Sequence, residues 1–374
     1  MNAIDRAVDQ FRTLLEEQIA RAARMKDAAP AKDFTNLPTV TIGVIDGDGI
    51  GPIITGHSTR VLEALLKDEI AAGKIALKKI EGLTIENRLA QGKAVPDDIL
   101  AACKACDVLL KGPTETPKGG TMESANVTLR RELDLFANVR PVKVPEEGID
   151  WTFFRENTEG EYVLGSRGVE IPDTLCMDFK VTTRPGTYRI ARAAFEYAKK
   201  NGKNNVAIVT KANIMKKTDG VFSEICHDVA KDYPGITAED WYIDIMTAKL
   251  VNREQRGRFQ VFVLPNLYGD IITDEAAQIQ GGVGTAGSAN VGDQYAMFEA
   301  IHGSAPRMIE TGRGAYANPA SILRAAEMLL RHIALPEKAD ALAKAMDSCP
   351  LTITGGGDGA TCAEYCDALI KALA

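Results

Sequence analysis

From Thr39 onward, short apolar runs alternate with amphipathic stretches of helical period. "TVTIGVID", "VLLKGP", "VAIVTKA" and "VFVLPN" are too short for helices and stop at Gly, Pro, Lys or Asn, as buried strands do. Between them, "TYRIARAAFEYAKK", "TDGVFSEICHDVAKD" and "PASILRAAEMLLRHI" repeat apolar residues every three or four positions, the stripe of a helix that covers a sheet. The pattern predicts an α/β chain with a mainly parallel sheet covered on both sides. Open sheets of this kind bind ligands outside the carboxyl ends of their strands. Lys111, Lys211 and Asn266 fall at such ends and are candidate ligand-facing residues.

The N-terminal 36 residues stand apart. "AIDRAVDQFRTLLEEQIARAARM" sets Ile4, Val8, Phe11, Leu15 and Ile19 at helical spacing, and "AAPAKDFTNLP" then breaks the pattern like a linker. Asp5, Asp9, Glu16, Glu17 and Asp27 argue against a transit peptide. The segment reads as an appended amphipathic helix whose stripe packs on the body or on another subunit. "GVGTAG", from Gly282 to Gly287, matches G-x-G-x-x-G literally but follows a helix rather than a strand. It therefore lacks the context of a dinucleotide motif and reads as a flexible loop.

Composition narrows the partners. A chain of 374 residues with 45% hydrophobic and 25% charged residues suits a globular protein of two domains. A net charge of −7 argues against nucleic acid or an anionic membrane as a general partner, so an anionic ligand must be caught by local positive charge. The seven cysteines are scattered, and the close pairs Cys103/Cys106 and Cys362/Cys366 lack clustered histidine or further cysteine. Free thiols in a reducing cytoplasm fit better than zinc or disulfides. No apolar run approaches the roughly 20 residues of a membrane span.

Two groups of residues carry chemistry. Asp270 and Asp274 in "NLYGDIITDEAA" are one helical turn apart and point the same way. They are either an ordinary acidic pair near a helix start or joint ligands of a hard divalent cation such as Mg²⁺ or Mn²⁺. Arg130 in "SANVTLRRELDLFANVRPVK", Arg140 at the end of its strand-like part, and Arg155 in "WTFFRENTEGEY" each border an apolar element. Any of them could be an ordinary surface charge. Together they suit a di- or tricarboxylate, because arginine binds carboxylate bidentately.

With these residues in place, the ordered set "GDGIGP", "KGPTETP", "S-x-N-V-x-L-R", "FREN-x-E-x-x-Y", "KANIMK", "D-x-M-x-x-x-L", "N-x-x-GD-x-x-x-D" and "HGSAP…ANP" resembles the isocitrate and isopropylmalate dehydrogenase family. The match covers nearly the whole chain except the N-terminal helix. These enzymes are metal-dependent oxidative β-decarboxylases of 2-hydroxy acids. The resemblance implies two α/β domains around a central cleft, not a Rossmann fold. Residues 37–135 with 282–374 would form a large cofactor-binding domain, and 136–281 a small domain carrying the dimer interface and metal ligands, after a helical extension and linker at 1–36. It further implies that Asp270 and Asp274 bind Mg²⁺ or Mn²⁺, with Asp244 reaching the ion from the neighbouring subunit. Arg130, Arg140, Arg155 and Asn213 would bind substrate. Lys211, from the neighbour, would assist removal of the hydroxyl proton, and Tyr162 would reprotonate the enolate. An active homodimer with shared sites follows.

Substrate and cofactor turn on local departures within the family. Ser124 and Asn126 occupy positions where isocitrate enzymes hydrogen-bond a third carboxylate and isopropylmalate enzymes place leucines. Isocitrate is therefore expected over isopropylmalate, homoisocitrate or tartrate, although Glu123 and Val127 resemble the other side. The resemblance puts NAD or NADP against Thr116, His302, Gly303, Ser304, Ala305, Pro306, Arg307 and Asn318. Arg307, where NAD-specific members carry Asp, points to NADP. Glu310 and the C-terminal "LTITGGGDGATCAEYCDAL" point to NAD. A non-catalytic regulatory subunit would have lost metal or proton-transfer residues, all of which are present here.

Overall fold

The computed structural model describes residues 3–26, 29–117, 122–165, 167–282 and 285–374. Asp27, as well as Val283 and Gly284 of the "GVGTAG" loop, lie outside them. In chain order the described strands are β1 (Val40–Ile45), β2 (Ile75–Ile80), β3 (Val108–Lys111), β4 (Ala137–Val144), β5 (Ile149–Glu156) and β6 (Val169–Ile171). They continue with β7 (Leu175–Met177), β8 (Asn205–Thr210), β9 (Thr237–Tyr242), β10 (Val261–Leu264), β11 (Gly287–Val291) and β12 (Ala296–Ala300). The chain separates into two compact units.

One unit comprises Ala31–Leu135 and Gln280–Ala374. Its strands lie in the order β2-β1-β3-β12-β11, all parallel to their neighbours except β11 against β12. All four residues of β3 are buried, as a strand covered on both faces requires. Helix Ala320–His332 turns Ile322, Leu323, Ala326, Leu329 and Leu330 inward. The turn "GDGIGP" after β1 needs its glycines. Gly49 has φ +60°, and a Cβ there would stand 2.1 Å from the Ser304 carbonyl oxygen. Ile50 N–H donates to that oxygen at 2.9 Å, so the turn is fastened to the "HGSAP" segment.

The other unit comprises the N-terminal helix and Phe136–Ile279, with strand order β4-β5-β10-β8-β9. Only the β4–β5 pairing is antiparallel in this set. Its core is aromatic: Trp151, Phe153, Phe259 and Phe262 are buried, and the rings of Phe153 and Phe262 stack 4.2 Å apart. β6 and β7 form a separate antiparallel pair. Helix Ala3–Lys26 packs on this unit through Leu14, which is buried with Val163 and Leu164, and through Phe11, 5.1 Å from Phe179. Of the predicted stripe, Phe11 touches this unit, whereas Ile4, Val8, Leu15 and Ile19 are exposed. Polar anchors hold the opposite side instead: Gln10 donates to Gly168 O at 2.6 Å, and Arg167 pairs with Glu17 at 2.6 Å.

Two further expectations need correction. Lys111, the last residue of β3, is fully buried rather than open at the strand end; its Nζ donates to Gly112 O at 2.9 Å and pairs with Glu299. Arg140 lies in the middle of β4 rather than at its end.

Candidate active site

The residues brought together most closely are those of β5 and of helix Asn266–Gln280. Arg155 is buried near the end of β5, and its Nε and Nη2 donate to Asn266 Oδ1 at 2.9 and 2.7 Å. Its Nη1 donates to Asp270 Oδ1, while Tyr162 Oη donates to Asp270 Oδ2 at 2.7 Å. The guanidinium also lies 5.3 Å from the Tyr162 ring centre. Gly269 makes room for this: a Cβ there would sit 2.4 Å from Arg155 Cγ. One turn along, Asp274 Oδ1 accepts from Arg140 Nη1 at 2.9 Å, and Arg140 donates to Thr273 Oγ1 as well.

The acid pair is therefore not left to repel, since each carboxylate has its own guanidinium. The arginine side chains are 1% and 8% exposed, whereas those of Asp270 and Asp274 are 41% and 61% exposed. Cationic groups rise from the interior, and carboxylates meet solvent above them. Two accessible hard oxygen donors on one helical face fit Mg²⁺ or Mn²⁺. Among the described residues, no three His, Cys, Asp or Glu side chains converge.

Asp244 stands with Lys211. Lys211 follows β8, and its Nζ donates at 2.6 Å to Asp244 Oδ1 in the first turn of helix Ile243–Val251. That hydrogen bond holds the Asp244 carboxyl below the usual carboxylate range. The Lys211 N–H donates at 2.7 Å to Asp219, which is fully buried and paired at 2.6 Å with Lys180. Lys180 in turn lies 4.2 Å over the Tyr268 ring. Asn213 is exposed in the turn beyond Lys211.

The second unit carries Arg130 on helix Ala125–Glu132. Its Nη2 donates at 3.0 Å to Glu299 Oε1, while its Nε is buried without a hydrogen-bond partner among the described residues. Glu299 also accepts from Asn290 Nδ2 at 2.8 Å and pairs with Lys111 at 3.3 Å. Burial alone would raise the Glu299 carboxyl, but Lys111 and Arg130 outweigh it and pull the group down to about 2. Ser124 precedes the helix without a side-chain capping bond, and Asn126 Oδ1 accepts from Thr114 Oγ1 at 3.2 Å. Glu123, by contrast, is engaged by Thr128 at 2.7 Å and Arg131 at 2.9 Å.

The residues assigned to the cofactor lie on two segments of this same unit. Asp48 accepts from Ile85 N–H and Glu115 N–H, each at 2.7 Å, and Arg88 donates to Glu115 O at 2.6 Å; these contacts fix the loop that presents exposed Thr116. Desolvation lowers the pKa of His302, and its Nδ1 lies 3.0 Å from Gly303 O. After Gly303 and buried Ser304, Ala305 takes φ 45°, ψ 54°, a strained left-handed conformation for a residue with a side chain. Pro306 then opens helix Pro306–Glu310, on which Arg307 and Glu310 are exposed. The Arg307 guanidinium makes no ion pair or hydrogen bond among the described residues. Asn318 caps the next helix through Ala320 N–H at 2.9 Å.

Asn266, Asp219, Glu299 and Asp48 all hold another site residue, and sequence reasoning gave none of them that role. The available signal was a charge inside an apolar run: Glu299 in "AMFEA" and Lys111 in "VLLK" demand each other once both are buried.

These features define the class: an α/β protein of two units with charged groups gathered at strand ends and on the helices that follow. A sequence model described as isocitrate/isopropylmalate dehydrogenase matches residues 41–355. The chain is 42% identical over 301 residues to "Isocitrate dehydrogenase [NADP]" of Rickettsia prowazekii, covering 78% of this chain but only 59% of that relative. It is 41% identical to "3-isopropylmalate dehydrogenase" of Archaeoglobus fulgidus, covering 82% of this chain and 90% of that protein. Against "Isocitrate dehydrogenase [NAD] regulatory subunit 3, mitochondrial" of Arabidopsis thaliana, it is 38% identical, covering 96% of this chain and 94% of that one. The crystal structure of isocitrate dehydrogenase from Methylococcus capsulatus superposes with a TM-score of 0.79 at 33% identity, covering 90% of this chain and 99% of that chain. The protein belongs to the isocitrate/isopropylmalate dehydrogenase family and has its mixed α/β fold. No described helix is long and apolar enough to cross a membrane.

Proposed function

We propose that the chain is a catalytically active, cytoplasmic NAD(P)-dependent isocitrate dehydrogenase. It would convert isocitrate to 2-oxoglutarate and CO₂ as a homodimer that requires Mg²⁺ or Mn²⁺. The observation that carries the reading is the Asp270 carboxylate shared between buried Arg155 and the Tyr162 hydroxyl, one turn from the Arg140–Asp274 pair. Arg130, Arg140 and Arg155 bind substrate carboxylates. The buried, unpartnered Nε of Arg130 is a donor that needs such an acceptor. Ser124 and Asn126 suit a third carboxylate rather than an alkyl group. Asp270, Asp274 and Asp244 of a second copy would hold the metal, which would supply Lewis-acid polarisation of the new carbonyl, and the bound nicotinamide would supply the hydride acceptor. Lys211 takes the hydroxyl proton and Tyr162 returns one from its Oη. The separation of Lys211 and Asp244 into their own pair supports a site completed by two copies. NADP is favoured over NAD by the unpartnered guanidinium of Arg307.

Two alternatives have specific support. Val127 and the Archaeoglobus relative favour isopropylmalate, and the Arabidopsis relative favours a regulatory role. One assay separates them: reduction of NAD and of NADP with Mg²⁺ and isocitrate, isopropylmalate, homoisocitrate or tartrate. Turnover of isocitrate well above the others is expected. Faster turnover of isopropylmalate would overturn the substrate, and binding of isocitrate without turnover would overturn the activity.

A further inference from the structure

Arg21 of the N-terminal helix reaches the turn that supports the acid–arginine cluster. Arg21 Nη1 donates to Glu159 Oε1 at 3.2 Å, and Nη2 donates to Thr158 O at 3.2 Å and Thr158 Oγ1 at 3.3 Å. Both receiving residues are buried. Glu159 Oε2 also accepts from Thr183 N–H at 2.8 Å, and its Oε1 from the Thr183 hydroxyl. Beside it, the carboxylate of buried Glu156 accepts from Thr158 N–H at 3.0 Å and Glu159 N–H at 2.6 Å. Two buried carboxylates in one turn need cations. Arg21 is one, and Arg189, which donates to Thr158 Oγ1 at 3.2 Å, is the other.

The same turn supports Arg155. The Glu159 main-chain oxygen accepts from Asn266 Nδ2 at 3.0 Å, and Asn266 Oδ1 receives Nε and Nη2 of Arg155. Contacts therefore run from Arg21 through Glu159 and Asn266 to Arg155, and from Arg155 through Asp270 to Tyr162. Arg21 lies outside the residues matched by the family model, which begin at 41.

We propose that Arg21 is a positioning residue for the proposed reaction: by neutralising the buried Glu156–Glu159 turn, it fixes Asn266, and through it the guanidinium of Arg155 and the hydroxyl of Tyr162. Without Arg21, one cation faces two buried carboxylates, and the turn must take up a proton or open. Either change moves the main-chain oxygen that orients Asn266.

The test uses the full-length enzyme with Arg21→Met, Arg21→Lys and, as a control on the exposed side of the same helix, Arg12→Met. Arg21→Met should lower kcat on the order of tenfold to a hundredfold, the scale of a small misplacement of reacting groups, with a smaller change in KM. Arg21→Lys should recover most of that loss, and Arg12→Met should match the parent. Hydrogen exchange supplies a readout independent of activity: residues 155–164 should exchange faster in Arg21→Met and return towards the parent in Arg21→Lys. Should Arg21→Met not fold, Arg21→Gln, which keeps a donor without the charge, takes its place. Parent-like kcat and exchange in the uncharged variant would overturn the inference, as would exchange raised uniformly through the unit. Failure of the parent to turn over isocitrate would instead overturn the proposed reaction, leaving the exchange measurement to decide on Arg21.

Discussion

Replacing Glu299 by glutamine isolates the charge that holds Arg130. The pair of cations beside it draws the Glu299 carboxyl from its ordinary 4.5 down to about 2. That difference, 4.5 − 2 = 2.5, at 1.36 kcal/mol per unit corresponds to about 3 kcal/mol of stability at neutral pH. It agrees in scale with the roughly 3–5 kcal/mol lost when one member of a buried ion pair is removed. The sign is fixed by linkage: a depressed carboxyl stabilises fully above its unfolded value and loses that contribution as pH falls from about 4.5 towards 2. Urea unfolding of parent and Glu299→Gln should therefore differ by about 3 kcal/mol at pH 7, and the gap should shrink as the pH falls below about 4.5. Adding Lys111→Met to Glu299→Gln should recover part of the loss, because the fully buried ammonium no longer lacks a counter-charge. A gap under about 1 kcal/mol, below the scale expected of a buried ion pair, or one constant with pH, would refute the reasoning. So would strict additivity of the two substitutions.

Other perturbations address the site directly. Asp270→Asn should lower turnover by orders of magnitude and weaken Mn²⁺ binding with only modest loss of stability, because the Asp270 side chain is 41% exposed; parent-like kcat at limiting Mg²⁺ would remove Asp270 from the metal site. Arg307→Asp should reduce kcat/KM for NADP by about a hundredfold while NAD use holds or improves, read by steady-state kinetics with both cofactors. Mixing Lys211→Ala with Arg130→Ala chains should regain activity if subunits exchange, whereas activity confined to a monomer in light scattering would exclude shared sites. Burial and the neighbouring Glu159 raise Glu156 to about 7, so its contribution to stability falls as pH rises from about 4.5 through 7. Glu156→Gln should flatten that part of the stability–pH curve, and an unchanged slope would show that Glu156 does not titrate there.

The alternation of apolar runs and helical stripes found β1, β3, β8 and β10, because strands covered on both faces are apolar throughout. Strands at the margins escaped it. β2 ends "LKKI" with Lys78 and Lys79 exposed, and β9 reads "TAEDWY", half polar, as the last strand of its set among the described residues. At the site, the sequence could name Arg155 and Asp270 but not their mutual contact, which depends on Gly269 and on Asn266 as a holder. The strand-end rule located Lys111 yet misjudged it. Position along a strand says where a side chain begins, not whether an acid on the neighbouring strand will take it inward.

The N-terminal helix marks a further limit of periodicity. Five apolar residues on one stripe imply that this stripe packs on the body or on another subunit, and burying it would be favourable at about 25 cal/mol per Å². The helix nevertheless docks by the side that carries Gln10, Leu14, Glu17 and Arg21. The reason lies in the surface it meets. That surface holds Glu159, 3% exposed, and a buried carboxylate without a cation costs several kcal/mol. A helix that brings Arg21 removes that cost, and Leu14 is then buried in one apolar cluster with Val163 and Leu164. Hydrophobic spacing tells that a helix has two unlike faces; the charge buried in its dock decides which face its own chain receives.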